Sequence, residues 1–103
     1  MNTKEFIELN YSKALGQADR LEQAAEKLNM VSQQQFQDTI QNLSADWTGT
    51  GASSYIAKGN RLVSDMNATA REIHRAAEDL RVMAKRLYDA EMAALSVIKT
   101  KSY

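Results

Sequence analysis

Apolar residues return along the second half of the chain at the spacing of a helix. A heptad frame begun at Ala52 places Ala52, Gly59, Met66, Ile73, Leu80, Leu87 and Ala94 at position a. Tyr55, Leu62, Thr69, Ala76, Met83, Ala90 and Val97 fall at d. Ile56, Val63, Ala70, Ala77, Ala84 and Ile98 fall at e, a column broken only by Glu91. Lys58, Asp65, Glu72, Asp79 and Arg86 fill g with charge. An a/d/e stripe flanked by charge is the pattern of a bundle helix, and no period-two alternation supports a strand. The first half keeps the same spacing through Ile7, Tyr11, Ala14, Ala18, Leu21, Ala25 and Leu28, then moves through Ser32, Phe36 and Ile40 in steps of four. Such steps predict a stutter near Gln33-Gln34-Gln35, where the winding of the helix changes.

Turn formers cluster only in Ser44-Ala45-Asp46-Trp47-Thr48-Gly49-Thr50-Gly51. The parse is therefore helix 1 over about residues 5–44, a turn over 45–51, helix 2 over about 52–98 and a short C-terminal tail. Asn2, Thr3 and Asn10 are alternative caps for the first helix. A short turn between long helices predicts an all-α antiparallel helix-turn-helix hairpin, one domain covering residues 1–103.

The stripe is wider than one neighbouring helix covers. With the e column added to a/d, each Leu, Ile or Val left in water forgoes roughly 1.5–3 kcal/mol. Two hairpins packed as a four-helix bundle, from two copies or two different chains, would bury the excess. The residues expected at that interface are Ile56, Leu62, Val63, Met66, Ile73, Leu80 and Leu87. Around Met92, Leu95, Val97 and Ile98 apolar positions spread beyond the stripe, which marks a partly covered tail or a docking surface.

Composition narrows the chemistry. The chain carries 13 Lys and Arg against 13 Asp and Glu. That balance lacks the basic excess of a phosphate-driven nucleic-acid binder. Residues 1–46 hold four basic and seven acidic residues, a balance of −3; residues 47–103 hold nine and six, a balance of +3. The halves should attract each other. There is no cysteine, so thiolate catalysis and cysteine metal sites are excluded. His74 and Glu78 stand four apart on one helix face, a spacing that could begin a metal site, but no second histidine completes one. The plain reading is a solvated pair. No nucleophile elbow accompanies the single histidine, so no catalytic residue, metal or cofactor is assigned. Gly49-Thr50-Gly51 lacks the lysine and spacing of a phosphate loop. No stretch is long enough to insert in a membrane, and the charged start, Met1 to Glu8, lacks the apolar core of a signal peptide.

Trp47-Thr48-Gly49, midway between two amphipathic halves and followed by Ala52 and Tyr55, resembles the motif of the WXG family. These are the ESAT-like, hundred-residue proteins of type VII secretion. The resemblance spans the length and helix layout of the chain. It implies hairpins that pair as homodimers or heterodimers, and export from Gram-positive bacteria and mycobacteria without an N-terminal signal peptide. It implies a membrane FtsK-like ATPase as the motor. It also implies a role as effector, or as escort or targeting partner of a larger toxin with a helical N-terminal domain. The family's Trp and Gly map to Trp47 and Gly49. Its export signal, Tyr-x-x-x-Asp/Glu, meets a departure: Tyr88 is followed by Glu91 at three residues and Met92 at four. The candidate export or partner contacts are accordingly Tyr88, Glu91, Met92, Leu95 and Ile98. A chain lacking the signal would travel with a partner that supplies it, and would be cytoplasmic before export as a complex. Two rival readings are a cytosolic helical adaptor or chaperone subunit unrelated to export, and a small metal protein or enzyme using His74 and Glu78.

Overall fold

The computed structural model describes residues 2–101. Helix α1 spans Thr3–Met30, a π-helical segment follows over Val31–Phe36, α2 spans Gln37–Asp46, and α3 spans Thr50–Lys101. Among the described residues there is no strand.

Asn2 caps α1. The Glu5 amide donates to Asn2 Oδ1 at 2.8 Å, the Phe6 amide donates to the Asn2 carbonyl at 3.0 Å, and the Glu5 carboxylate lies 3.4 Å from Asn2 nitrogens. This is a capping box that satisfies donors the first turn leaves open. Of the three candidate caps it is the earliest that the helix uses.

The stutter takes the form of one π turn. The Gln37 amide donates to the Ser32 carbonyl five residues back. One extra residue in the turn shifts the buried column from a step of seven to a step of eight, so Ser32 and then Ile40 point inward where Thr39 would otherwise have done so.

At the turn, Trp47 is extended (φ −117°, ψ 121°) and its amide closes α2 on the Leu43 carbonyl at 2.9 Å. Gly49 holds φ 110°, a conformation that side chains with a Cβ rarely adopt. Its carbonyl accepts from both the Ser53 amide (3.0 Å) and the Ser53 hydroxyl (3.1 Å), which starts α3. The turn is therefore only three residues, Trp47 to Gly49, shorter than the 45–51 expected from composition. Helix α3 begins at Thr50 and runs past residue 98 to Lys101. The remaining tail positions, 102 and 103, lie outside the described residues.

The chain groups into two compact units: residues 1–21 with 75–103, and residues 22–74. In the first, the start of α1 pairs antiparallel with the C-terminal part of α3: Tyr11 meets Tyr88 and Asp19 meets Arg81. Its core is thin and made of Ile7, Ala18 and Ala77. In the second, the end of α1, the π segment and α2 pair antiparallel with the N-terminal part of α3. Its core holds Ala25, Ser32, Ile40, Ala52, Val63 and Ala70. Ile40 packs onto the backbone of α3 at Gly59; a Cβ built there would lie 2.7 Å from Ile40 Cδ1. Small residues at these positions let helix backbones approach closely.

Candidate functional site

The hairpin seam uses columns a and e of α3. Ala52, Val63, Ala70 and Ala77 are buried, while Ile56, Gly59, Met66, Ile73, Leu80 and Ala84 are half-buried. Ile56 and Val63 face helices of their own chain, with Val63 only 9% exposed. From Ile56 to Glu91 the e column is spent inside the hairpin, because the 3-4 alternation of a and e, rather than a and d, points at the neighbouring helix; Ile98, at the end of that column, is exposed.

One flank of the seam is polar and closed. In the first unit Arg81 Nη2 donates to Asp19 Oδ1 at 2.8 Å. In the second, His74 Nδ1 lies 2.9 Å from Glu22 Oε1. Ser32 is fully buried there, and its hydroxyl sits 2.7 Å from Asn67 Oδ1 and 3.3 Å from the Val63 carbonyl. The pairing of His74 across the seam escaped the sequence reading, which looked only along one helix to Glu78. A groove of about 220 Å³ beside this pair is lined by Glu22, Glu26, Asn67, Arg71 and His74. Among the described residues no group of three or more His, Asp or Glu is placed to hold a metal ion.

The other flank is apolar and open. In the first unit Leu80, Met83, Leu87, Ala94 and Ile98 recur on α3 at steps of three, four and seven. Leu80 is half-buried, but Met83, Leu87 and Ile98 are 63%, 60% and 65% exposed. Phe6 on α1 is also exposed. In the second unit Leu62 and Tyr55, both at d, are exposed, as are Leu43 and Trp47. Of the residues expected to contact another chain, Leu62 and Leu87 are open to solvent, and Met66, Ile73 and Leu80 sit half-covered at the rim of the seam.

Trp47 stacks on Tyr55 with ring centroids 5.7 Å apart and planes 25° from parallel. Lys58 Nζ lies 5.8 Å from the Tyr55 ring. The turn motif thus builds an aromatic pair at the closed end of the second unit.

Tyr88 and Glu91 face inward. Tyr88 stacks on Tyr11 with centroids 4.7 Å apart at 24°, and Lys85 Nζ lies 5.3 Å from the Tyr88 ring. Both residues line a small cleft with Ile7, Tyr11 and Leu87. Asp89 holds the Lys85 ammonium by a 2.9 Å hydrogen bond and by its charge, which raises the lysine's pKa above its ordinary value of 10.5. Met92 and Leu95 are half-buried and border an open groove of about 350 Å³ with Lys4, Ser96 and Lys99.

The model of the PPE family matches residues 12–100. The chain belongs to the PPE family. PPE proteins are mycobacterial helical proteins associated with type VII secretion, related to the WXG family but distinct from it. The resemblance drawn at Trp47 and Gly49 therefore holds for the secretion system and is corrected for the family. No curated protein and no solved structure matches this PPE-family chain. It is a type VII secretion-associated helical protein, and no helix among its described residues is long and apolar enough to cross a membrane.

Proposed function

We propose that this PPE-family chain is a non-enzymatic partner protein, which lays the open flank of its hairpin against a second helical hairpin to complete a four-helix bundle for export. The observation that carries this reading is the exposure of Met83, Leu87 and Ile98 on one flank, while the opposite flank is already closed by Asp19 and Arg81. Burying a Leu, Ile or Met side chain contributes roughly 1.5–3 kcal/mol. Several together are comparable to a whole domain's stability of about 5–15 kcal/mol. A helix that keeps such side chains in line on one flank, rather than scattered, has the pattern of an interface.

In this reading the chain acts as effector, or as escort or targeting partner of a larger secreted protein, with the secretion ATPase as the machine it serves. Tyr88 packs against Tyr11 and is spaced three residues from Glu91. Both features favour a chain that leaves the cell on a signal supplied by its partner.

The test replaces Met83 and Leu87 together by Glu in a producing bacterium. Both side chains are exposed, so the isolated hairpin should keep its helical circular dichroism. Its appearance in culture medium should be lost. Val82→Glu, on the far side of α3, should leave export intact. Undiminished export of the double variant would overturn the reading.

A further inference from the structure

The first unit holds two phenols in contact. Of the chain's four tyrosines, Tyr11 and Tyr88 stack on each other, with ring centroids 4.7 Å apart and planes 24° from parallel. Tyr55 stacks on Trp47 in the second unit, and Tyr103 lies outside the described residues. Tyr11 and Tyr88 are both half-buried, beside the exposed Lys85, whose ammonium lies 5.3 Å from the Tyr88 ring. The raised pKa of Lys85 owes most to Asp89 and a smaller part to the charges of the Tyr11 and Tyr88 phenols. Both hydroxyl groups therefore lie near that ammonium, at the solvent edge of the seam. The ring carbons ortho to the hydroxyls flank them there. A dissolved oxidant can reach this stack, and the fold already holds its two rings together. Disulfides are the usual staple of small domains in oxidising surroundings, and this chain has no cysteine to form one.

We propose that Tyr11 and Tyr88 are an oxidative cross-linking site, which hydrogen peroxide, acting through a haem peroxidase, joins into a dityrosine tying α1 to α3. Each phenol gives one electron to the peroxidase and its hydroxyl proton to water, leaving a phenoxyl radical whose unpaired spin is shared with the ortho carbons. The two radicals pair as one carbon–carbon bond between an ortho carbon of each ring. The hydrogen on each joined carbon then moves to the oxygen, which restores both phenols. The pair loses two electrons and two protons in all, and one peroxide takes them up to become two waters.

Contact makes the second step intramolecular, so coupling within the chain outruns coupling between chains. The new bond closes a long loop, from the start of α1 to the end of α3, in a unit whose core is only Ile7, Ala18 and Ala77. A covalent tie across such a loop restricts the unfolded chain and so favours the folded one. The site needs no second chain, and it stands apart from the partner-binding reading above.

The test mixes unlabelled and isotope-labelled full-length chain in equal amounts and treats it with a haem peroxidase and hydrogen peroxide. Trypsin then releases Tyr11 in residues 5–13 and Tyr88 in residues 87–99. These two peptides should appear joined and lighter by two hydrogens than their sum, after allowance for oxygen added to Met92. Both halves should carry the same isotope, and the product should show dityrosine fluorescence. Tyr11→Phe keeps a ring in the stack but has no phenol to oxidise, so the joined peptide should disappear. Treatment in unfolding urea should lower its yield about tenfold or more, because the rings are then no longer held together. The joined chain should unfold at higher urea than the untreated one. Oxidation of Tyr55 with no joining of Tyr11 to Tyr88 would overturn the proposal. So would joined peptides of mixed isotope, or a yield that urea leaves unchanged.

Discussion

Tyr11 and Tyr88 stack face to face across the seam of the first unit, 4.7 Å between ring centroids. The contact joins the beginning of α1 to a position 77 residues later on α3, in a unit whose core is otherwise mostly alanine. An aromatic pair of this kind contributes about 0.5–1.5 kcal/mol beyond its buried area. Tyr11→Ala should lower stability by roughly 1–2 kcal/mol in urea unfolding, and Tyr11→Phe, which keeps the ring, should lower it far less. Equal losses from the two variants would show that the hydroxyl, rather than the stacked ring, holds the pair.

Ser32 makes a second long-range tie, from the π segment to Asn67 and Val63. Ser32→Ala removes a buried hydroxyl of small volume and should cost about 0.5–1.5 kcal/mol. Ser32→Leu must force a larger side chain into a fully buried site and should cost about 1–3 kcal/mol through overpacking. A leucine variant as stable as wild type, measured by thermal unfolding, would show that this site is not closely packed.

Three glycines separate by environment. A Cβ at Gly16 meets nothing within 4 Å, and the residue lies inside α1, so Gly16→Ala should stabilise by about 0.5–1 kcal/mol. Gly49→Ala should destabilise by about 1–2 kcal/mol because φ is positive there. Gly59→Val should be the worst of the three, since its first added carbon already presses on Ile40. Calorimetric melting of the three variants gives this order directly.

Much of this fold was legible in the sequence, because an a/d/e stripe and a central run of turn formers leave few alternatives to a helical hairpin. The stutter near Gln33–Gln35 was legible as steps of four, although its form as a π turn depends on which carbonyl the Gln37 amide selects. The assignment of columns was less accessible. A stripe of a, d and e fits a sister helix along either edge. The choice is made by small residues at e, Ala70 and Ala77 among them, which admit a close neighbour. That choice left d, with Leu62 and Met83, facing outward, and drew Val63 inward. His74 found its partner on the other helix for the same reason: periodicity describes one helix, and cross-seam pairs depend on the relative register of two. The family, too, was legible only to the level of the secretion system, because Trp-x-Gly is a short motif and its structural role, ending one helix and starting the next, is a generic solution for a tight turn.

Lys85 and Asp89 yield a pH prediction of definite sign. The folded lysine's pKa is raised above 10.5, first by its hydrogen bond to Asp89 and then by that residue's charge. Any stability this contributes is present below 10.5 and is lost as pH rises through the raised value. Asp89→Asn should return the Lys85 titration toward 10.5, read by NMR of the side-chain nitrogen, with at most a small fall in melting temperature near neutral pH, because the pair is exposed. A titration unmoved by the substitution would remove Asp89 as the cause.

Hydroxyl-radical labelling of α3 in intact producing cells, compared with the purified chain diluted to nanomolar concentration, tests the central claim most directly. Met83 and Val82 are neighbours in sequence, both exposed in the single chain, and point to different sides of α3. After normalising each residue to its own labelling in the dilute chain, the account predicts that Met83 and Leu87 become protected in cells while Val82 remains reactive. Met83 labelled in cells as strongly as in the dilute chain would mean that nothing covers the open flank, and the partner-binding role would fall with it.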